Sequence, residues 1–130
     1  MDKARLKSVP FFSNMSKREL AAMAQQTDDL DVPAGKVLAQ EGEIGHEFFV
    51  IDQGTAEVTR GGEHVADLGP GDFFGEMALL EEDRRTATVT ASSPARVIVM
   101  TRQSFRALDR TMPDVHAAVA EAIASRRQTA

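Results

Sequence analysis

The sequence predicts a mainly β fold with flanking α-helices, arranged as an antiparallel sandwich or jelly-roll barrel. Glycines interrupt the middle of the chain every few residues, and the segments between them are short and rich in β-branched or aromatic residues. No helices alternate with these segments, which favours antiparallel pairing. Helical patterns occur before and after this region. With 130 residues, the chain has the size of one domain, because two independent cores would each be too small.

The predicted N-terminal helix begins with a capping box, Ser16-Lys17-Arg18-Glu19. In this motif the serine oxygen accepts from the backbone of Glu19, and the glutamate side chain reaches back to the serine backbone. Met15 and Leu20 have the spacing of a hydrophobic staple, and we expect the helix to continue to Gln26. Further apolar residues predict a preceding short helical or turn segment on the same core: Leu6, Val9, Phe11 and Phe12.

Strand-like segments follow from residue 28 onward, and Gly61-Gly62 predicts a tight hairpin turn between two of them. The segments are residues 30–32, 36–39, 48–51, 56–59, 64–68, 86–90 and 96–100.

Two helices are predicted after the strands. Thr101 caps the first, with Met100 and Phe105 as its staple. Pro113 lies in the first turn of the second, where its missing N–H has no cost. An apolar stripe then recurs at helical spacing and requires a surface to cover it: Val115, Ala118, Val119, Ala122 and Ile123.

The charge distribution disfavours nucleic acid as a direct partner. The net charge is −5, but residues 28–83 carry two basic and fifteen acidic residues, whereas both flanking segments are net positive. A polyanion requires a continuous basic face, and this acidic middle offers none. A small anion could still bind where basic groups converge.

Other classes are excluded by composition. The chain has no cysteine, which removes disulfides and thiol chemistry and fits a cytoplasmic protein. Its longest uninterrupted apolar run is five residues, so no direct membrane insertion is expected. All aromatic residues are phenylalanine. A planar ligand would therefore be covered by aliphatic groups, by phenylalanine or by the plane of an arginine.

One segment, residues 71–89, has the features of an anion site. After a Gly-Pro-Gly turn, residues 77–80 favour a helical turn that begins at Gly75-Glu76. Helix N-termini present unpaired N–H groups, which suit a phosphate, and glycine allows close approach of a ligand. The acidic loop at residues 81–83 is followed by Arg84 and Arg85. An arginine at the start of the next strand could grip a phosphate bidentately.

The segment resembles the phosphate-binding cassette of cyclic-nucleotide-binding domains. Residues 74–80 read Phe-Gly-Glu-Met-Ala-Leu-Leu, and residues 85–89 read Arg-Thr-Ala-Thr-Val. The family includes the catabolite activator protein, regulatory subunits of cyclic-AMP-dependent protein kinase and cyclic-nucleotide-gated channels. The resemblance covers almost the whole chain and implies one domain at 1–130. Its parts would be an N-terminal helical segment (1–27), an eight-stranded antiparallel β-roll (28–101) with the cassette at 73–89, and two C-terminal helices including a lid (102–130).

The resemblance also implies roles for individual residues. Arg85 would pair with the cyclic phosphate, assisted by backbone N–H groups around Ala78 and Arg85-Thr86. Glu76 would accept the ribose 2′-OH, with help from the Gly75 backbone, because a carboxylate facing a phosphodiester would repel it. The complete expected ligand-binding set is Phe74, Gly75, Glu76, Met77, Ala78, Arg84, Arg85, Thr86, Ala87, Val119 and Ile123.

Two departures from the family pattern leave questions open. Arg84 occupies a position that is often proline in the family, so the inward orientation of Arg85 is inferred from register. The chain ends soon after the lid helix, and Arg126 or Arg127 either covers the purine or lies in solvent. The stripe from Val115 to Ile123 is expected mainly to pack in the core, and of its residues only Val119 or Ile123 is expected near the ligand, when the last helix closes over the base.

The expected function is a cyclic-nucleotide sensor that binds cyclic AMP, or cyclic GMP, without catalysis and without a further cofactor. Its effector would be another domain or a protein in trans, since no helix-turn-helix follows the lid. The alternative is a degenerate β-roll that binds no nucleotide and acts through protein contacts. A metal enzyme of the cupin kind is disfavoured because the three histidines, His46, His64 and His116, are widely separated.

Overall fold

In the computed structural model, which describes residues 3–80 and 84–129, two four-stranded antiparallel sheets are flanked by helices. The expected mainly β architecture with eight strands is confirmed, and the sheets form two layers that do not close into a barrel. The helices are α1 (Lys3–Ser8), a 3₁₀ helix (Pro10–Phe12), α2 (Lys17–Gln26), α3 (Met77–Leu80), α4 (Arg102–Thr111) and α5 (Pro113–Thr129). The strands are β1 (Asp28–Val32), β2 (Val37–Ala39), β3 (Glu47–Gln53), β4 (Ala56–Arg60), β5 (Glu63–Leu68), β6 (Phe73–Phe74), β7 (Thr88–Ala91) and β8 (Ala95–Thr101).

The helix ends follow the predicted capping chemistry. Ser16 Oγ accepts from the Glu19 N–H at 3.1 Å, and the Ser16 N–H donates to Glu19 Oε1 at 2.8 Å. Thr101 Oγ1 likewise accepts from the Ser104 N–H at 3.1 Å and caps α4. These contacts are local in sequence, so the residues that form them could be read from the sequence.

The first sheet has the strand order β1-β8-β3-β6, and the second has the order β2-β7-β4-β5. Strand β6 was not predicted. Its two residues pair with Phe49 and Val50 of β3, so a long-range partner defines it rather than a pattern of its own. Strand β7 begins at Thr88 rather than at residue 86, and the backbone of Arg85 bonds to Gly42 and Glu43.

Strands β3 and β8 are buried on both faces and separate two apolar clusters. Successive side chains of a strand point to opposite faces. In β3, Phe48 and Val50 pack in the cluster with the helices, whereas Phe49 and Ile51 pack in the cluster between the sheets. Phe49 stacks on Phe74 of β6, with ring centroids 4.8 Å apart. Strands β3 and β8 therefore form a central layer, which packs against the helices on one face and against the second sheet on the other.

The stripe on α5 is covered by the helical cluster. Val115 and Val119 are each 0% exposed and Ile123 is 4% exposed, and all three belong to the cluster that includes Leu6 and Leu20. Arg18 of α2 also donates to Asp114 at the start of α5 and holds the pKa of that carboxyl below its usual value. In the described part of the chain no helix is both long and apolar enough to cross a membrane.

The capping box provides a test of this part of the fold. Ser16→Ala removes the oxygen that accepts from the Glu19 N–H, and we expect a loss of about 0.5–2 kcal/mol in the free energy of unfolding. Urea denaturation followed by far-ultraviolet circular dichroism measures this change. Lys17→Ala, on the same exposed turn but without a capping bond, is the matched control. Equal stability of the Ser16→Ala variant and the wild type would contradict the assigned cap.

Candidate functional site

The candidate site is organised around the partly buried side chain of Arg85. Its Nη2 donates to the backbone oxygen of Glu47 at 2.8 Å. Its own backbone is fixed on both sides, because the Arg85 N–H donates to the Glu43 oxygen at 2.7 Å and its oxygen accepts from the Gly42 N–H at 2.9 Å. Since Arg85 precedes β7 of the second sheet and Glu47 begins β3 of the first, this side chain connects the ends of two interior strands, one from each sheet.

Two glycines provide the space for this guanidinium. A Cβ on Gly45 would lie 2.5 Å from Arg85 Nε, and a Cβ on Gly75 would lie 2.6 Å from both Arg85 Nη1 and the Glu47 oxygen. Gly75 also has a φ of 82°, a conformation that favours glycine. The arginine is therefore held between two positions that accommodate no side chain.

Among the described residues, burial outweighs the nearby carboxylates in its effect on the pKa of Arg85. Burial lowers the pKa of the guanidinium below its ordinary value, and the nearby carboxylates of Glu47 and Glu76 oppose this lowering. Desolvation disfavours a charged group unless an opposite charge or hydrogen bonds compensate for it. An anion bound beside Arg85 would supply additional compensation.

A cavity of about 350 Å³ lies next to this guanidinium, and we call it the Arg85 cavity. Its volume is in the range of small-molecule sites, which combine apolar walls with a few polar groups. Arg60, Arg84, Arg85 and Glu76 are its charged lining residues in the described part of the chain. The other described lining residues are Ala39, Val58, Leu68, Phe73, Phe74, Gly75, Ala78, Thr86, Ala87 and Val89. Such a lining suits a small anion that carries an apolar group.

Most of the residues expected from the sequence line this cavity. They are Phe74, Gly75, Glu76, Ala78, Arg84, Arg85, Thr86 and Ala87. The side chain of Met77 lies outside the described part of the structure, as do those of Arg126 and Arg127. The acidic loop at residues 81–83 also lies outside it.

Val119 and Ile123 are not among the described residues that line the Arg85 cavity. Both are buried in the helical cluster instead. Periodicity identified the buried face of α5 correctly, but the apolar surface that covers this face belongs to the other helices. In this conformation α5 does not bring either side chain to the cavity.

The two neighbouring arginines differ in environment. Arg84 is exposed, and its Nη1 donates to the Gly42 oxygen at 2.7 Å. Arg85 is the more buried of the two. Two N–H groups implied by the resemblance are already used within the protein, since Ala78 N–H donates to the Gly75 oxygen at 3.0 Å and Arg85 N–H donates to Glu43. A phosphate would have to share these donors or depend mainly on the guanidinium.

Sequence reasoning missed three contributors: Gly45, Glu47 and Arg60. Gly45 looks like any turn glycine, and Glu47 acts through its backbone, which carries no residue-specific signal. Arg60 lies at the end of β4, beside the Gly61-Gly62 turn, and its Nε donates to the Thr86 oxygen at 3.1 Å. The sequence signal for Arg60 is indirect. The chain has no Trp or Tyr, so an arginine is one of the few side chains that can cover a planar ligand.

The residues described here contain no group of three or more His, Asp or Glu side chains placed to hold a metal ion. His46 and His64 instead contact Arg102 and Asp67, respectively.

Comparison with known proteins identifies the family. The family model of the cyclic nucleotide-binding domain matches residues 30–111. The chain is 32% identical over 120 residues, 92% of its length, to a cyclic nucleotide-gated potassium channel of Rhizobium etli, of which it covers 34%. It is 39% identical over 105 residues, 79% of its length, to a cAMP-dependent protein kinase regulatory subunit of Yarrowia lipolytica, of which it covers 28%. The chain thus spans about a third or less of these relatives.

Solved structures agree with this assignment. The catabolite activator protein of Thermus thermophilus superposes with a TM-score of 0.76 at 29% identity, over 92% of this chain and 58% of that one. A cAMP-bound PfPKA-R superposes with a TM-score of 0.72 at 26% identity, over 98% of this chain and 45% of that one. The chain belongs to the cyclic nucleotide-binding domain family.

Proposed function

We propose that this chain binds a cyclic nucleoside monophosphate in the Arg85 cavity, cyclic AMP in preference to cyclic GMP, and acts as a regulatory module. The observation that carries the proposal is the partly buried guanidinium of Arg85, which adjoins a cavity of about 350 Å³. The planar fork of arginine matches the oxygens of a phosphate. A cyclic phosphate bears one negative charge, which Arg85 can offset without a second cation.

The ribose would be bound through Glu76. This carboxylate lines the same cavity and lies close enough to Arg85 to act on its pKa. A carboxylate accepts hydrogen bonds and repels a phosphodiester, so its ligand group is a hydroxyl donor. The 2′-OH is the free hydroxyl of the ribose in a 3′,5′-cyclic nucleotide, and Gly75 permits close approach of the backbone to it.

The purine would lie against the apolar part of the cavity. Val58, Leu68 and Val89 line that part, while Arg60 is available to cover the exposed face of the base. Phe74, Met77, Ala78, Arg84, Thr86 and Ala87 complete the proposed binding set. The Thr86 hydroxyl is compatible with either base, so the preference for cyclic AMP belongs to the proposal and is tested by titration with both nucleotides.

Regulation would act through α5. Contact of Val119 or Ile123 with the purine requires α5 to leave its present position, because both side chains are now buried against other helices. Exposing one such side chain costs about 1.5–3 kcal/mol, and the apolar face of the bound base would offset this cost. We propose that ligand binding biases this two-state movement.

The proposal includes the setting of the module. Residues 1–130 would act as one unit in the cytoplasm, without catalytic activity, and would transmit the nucleotide signal to an effector domain or a separate effector protein. The match to channels and kinase regulatory subunits supports such an arrangement.

Isothermal titration calorimetry with cyclic AMP and cyclic GMP tests the proposed function. Calorimetry is suited to this chain because it has neither Trp nor Tyr. Saturable heat with a 1:1 stoichiometry and a higher affinity for cyclic AMP is the expected outcome. If neither nucleotide produces saturable heat or a rise in melting temperature, the chain is a nucleotide-free β-roll that acts through protein contacts.

Arg85→Ala should weaken nucleotide binding by about 2–5 kcal/mol, because it leaves the bound anion without its charged partner. Arg84→Ala is the matched control, with the same loss of charge at an exposed position, and should cost less. Both affinities are measured by calorimetry after thermal melting has shown that each variant folds. Near-wild-type affinity of the Arg85→Ala variant would contradict the proposed phosphate partner.

If Glu76 binds the ribose, removing the ribose 2′-OH and removing the Glu76 carboxylate should have non-additive effects on affinity. A 2′-deoxy analogue should bind the wild type more weakly, because one hydrogen bond to a charged group, worth about 1.5–3 kcal/mol, is lost. Glu76→Ala should remove most of this difference between the two ligands. If the variant discriminates between the ligands as strongly as the wild type does, Glu76 does not bind the ribose.

Gly45→Ala should reduce nucleotide affinity although residue 45 does not line the cavity. Its Cβ would lie 2.5 Å from Arg85 Nε, so the guanidinium must shift, and overpacking of this kind costs about 1–3 kcal/mol. Gly69→Ala is the matched control, because a Cβ there meets no atom within 4 Å. Equal nucleotide affinities of the Gly45→Ala and Gly69→Ala variants would show that the position of Arg85 does not depend on the space at residue 45.

Hydrogen–deuterium exchange tests the proposed movement of α5. Saturating cyclic AMP should change the protection of the amides in residues 113–124, because the packing around Val115 and Val119 changes when the helix moves. The amides of β8 serve as an internal reference within the central layer. If the nucleotide binds but the protection of α5 does not change, the proposed movement of α5 is wrong. The proposed nucleotide binding would remain.

A further inference from the structure

A second cavity lies along α4 and shares no described lining residue with the Arg85 cavity. Its volume is about 510 Å³, and we call it the α4 cavity. The described residues that line it are His46, Thr101, Arg102, Gln103, Arg106 and Arg110. It is larger than the Arg85 cavity, and the proposed nucleotide-binding function makes no use of it.

Three of these residues are arginines on one face of α4. Arg102, Arg106 and Arg110 are spaced four residues apart, so their side chains are neighbours on the helix surface. Like charges at this spacing destabilise a helix. The described lining contains no acidic residue, and the exposed side chains of Arg106 and Arg110 form no hydrogen bond or ion pair within the described part of the chain. An anion from outside the chain would relieve this repulsion.

One wall of the α4 cavity is held in place by two hydrogen bonds. Arg102 Nη2 lies 2.8 Å from His46 Nδ1, and the Arg102 N–H donates to the His46 oxygen at 2.9 Å. Because a guanidinium can only donate, Nδ1 accepts and the neutral imidazole carries its hydrogen on Nε2. His46 thus keeps one N–H donor for a ligand, and Arg102 is held at one end of the basic row.

The lining chemistry distinguishes a small anion from a protein partner. Protein interfaces centre on buried aromatic or aliphatic anchors, and none of the six described lining residues is apolar. Guanidinium groups bind phosphate oxygens in pairs. Arg102 and Arg110 are eight residues apart, or about 12 Å along a helix, which exceeds the width of one phosphate group.

We propose that the α4 cavity binds a small oligophosphate, an anion with two or more linked phosphate groups, through Arg102, Arg106 and Arg110. Gln103 and His46 supply neutral donors to the same anion. This site goes beyond the proposed nucleotide-binding function and does not depend on it. Binding is non-covalent, and its affinity falls as salt screens the charges.

Calorimetric titration of the full chain with sodium tripolyphosphate at low ionic strength tests the proposal. We expect saturable 1:1 binding to the wild type. In the double variant Arg106→Gln/Arg110→Gln the affinity should fall at least about tenfold, because each substitution removes charge-assisted hydrogen bonds to the anion. The double variant Lys17→Gln/Lys36→Gln changes the net charge equally at exposed positions outside both cavities. It should remain within about twofold of the wild type, since distant exposed charges are screened.

Several outcomes would overturn the proposal. Equal losses in the two double variants would show a non-specific effect of net charge. Inorganic phosphate binding as tightly as tripolyphosphate would exclude the requirement for linked phosphates. If the chain binds vesicles with anionic lipid more tightly than it binds tripolyphosphate, and this binding depends on Arg106, the α4 cavity is a membrane contact instead. Loss of binding in Arg60→Gln rather than in the α4 variant would move the anion to the Arg85 cavity. Cyclic-nucleotide affinity is measured separately, so failure here leaves the proposed function intact.

Discussion

The guanidinium of Arg85 imposes the strictest constraint on this structure. Burial disfavours its charge, and among the described residues the Glu47 oxygen and the carboxylates of Glu47 and Glu76 compensate for it. Arginine does not respond to burial by deprotonating in proteins. The surroundings must therefore satisfy a charged fork, and the absence of a side chain at both Gly45 and Gly75 makes room for it.

This constraint involves both sheets because of where the partners of Arg85 lie. Glu47 begins β3, the strand that carries Phe48 into the helical cluster and Phe49 into the cluster between the sheets. A movement of the guanidinium away from the Glu47 oxygen would therefore act on the end of the central layer. From there, packed side chains continue without interruption to the helices that cover Val119.

The sequence predicted the parts of the fold that depend on local chemistry. The Ser16–Glu19 capping box involves residues three apart, and the glycine-bounded segments correspond to strands within a few residues. The resemblance of residues 74–89 to a phosphate-binding cassette rests on the spacing of Gly75, Glu76 and Arg85. In each of these cases the atoms that interact, or the turns that separate them, belong to one short stretch of chain.

What the sequence did not predict depends on long-range neighbours. Gly45 is needed because Arg85, forty residues later, passes against it. Strand β6 exists through its pairing with β3, and Arg60 reaches the cavity through a bond to Thr86, 26 residues away. The α5 stripe shows the same limit, since its period identifies the buried face without identifying the surface that covers it.

The two cavities differ in the anion chemistry that their surroundings favour. Around Arg85, carboxylates from Glu47 and Glu76 lie close by and an apolar wall stands opposite. A ligand with more than one negative charge would be repelled by these carboxylates. The surroundings of Arg85 therefore favour a singly charged ligand that also carries an apolar group. Along α4, the described lining has neither acids nor apolar side chains, so each further negative charge reduces the repulsion among the arginines. A singly charged nucleotide would leave that repulsion mostly unrelieved, whereas an oligophosphate beside Arg85 would face the carboxylates of Glu47 and Glu76. The distribution of acidic and apolar residues therefore separates the two ligand classes, although arginine provides the positive charge in both cavities.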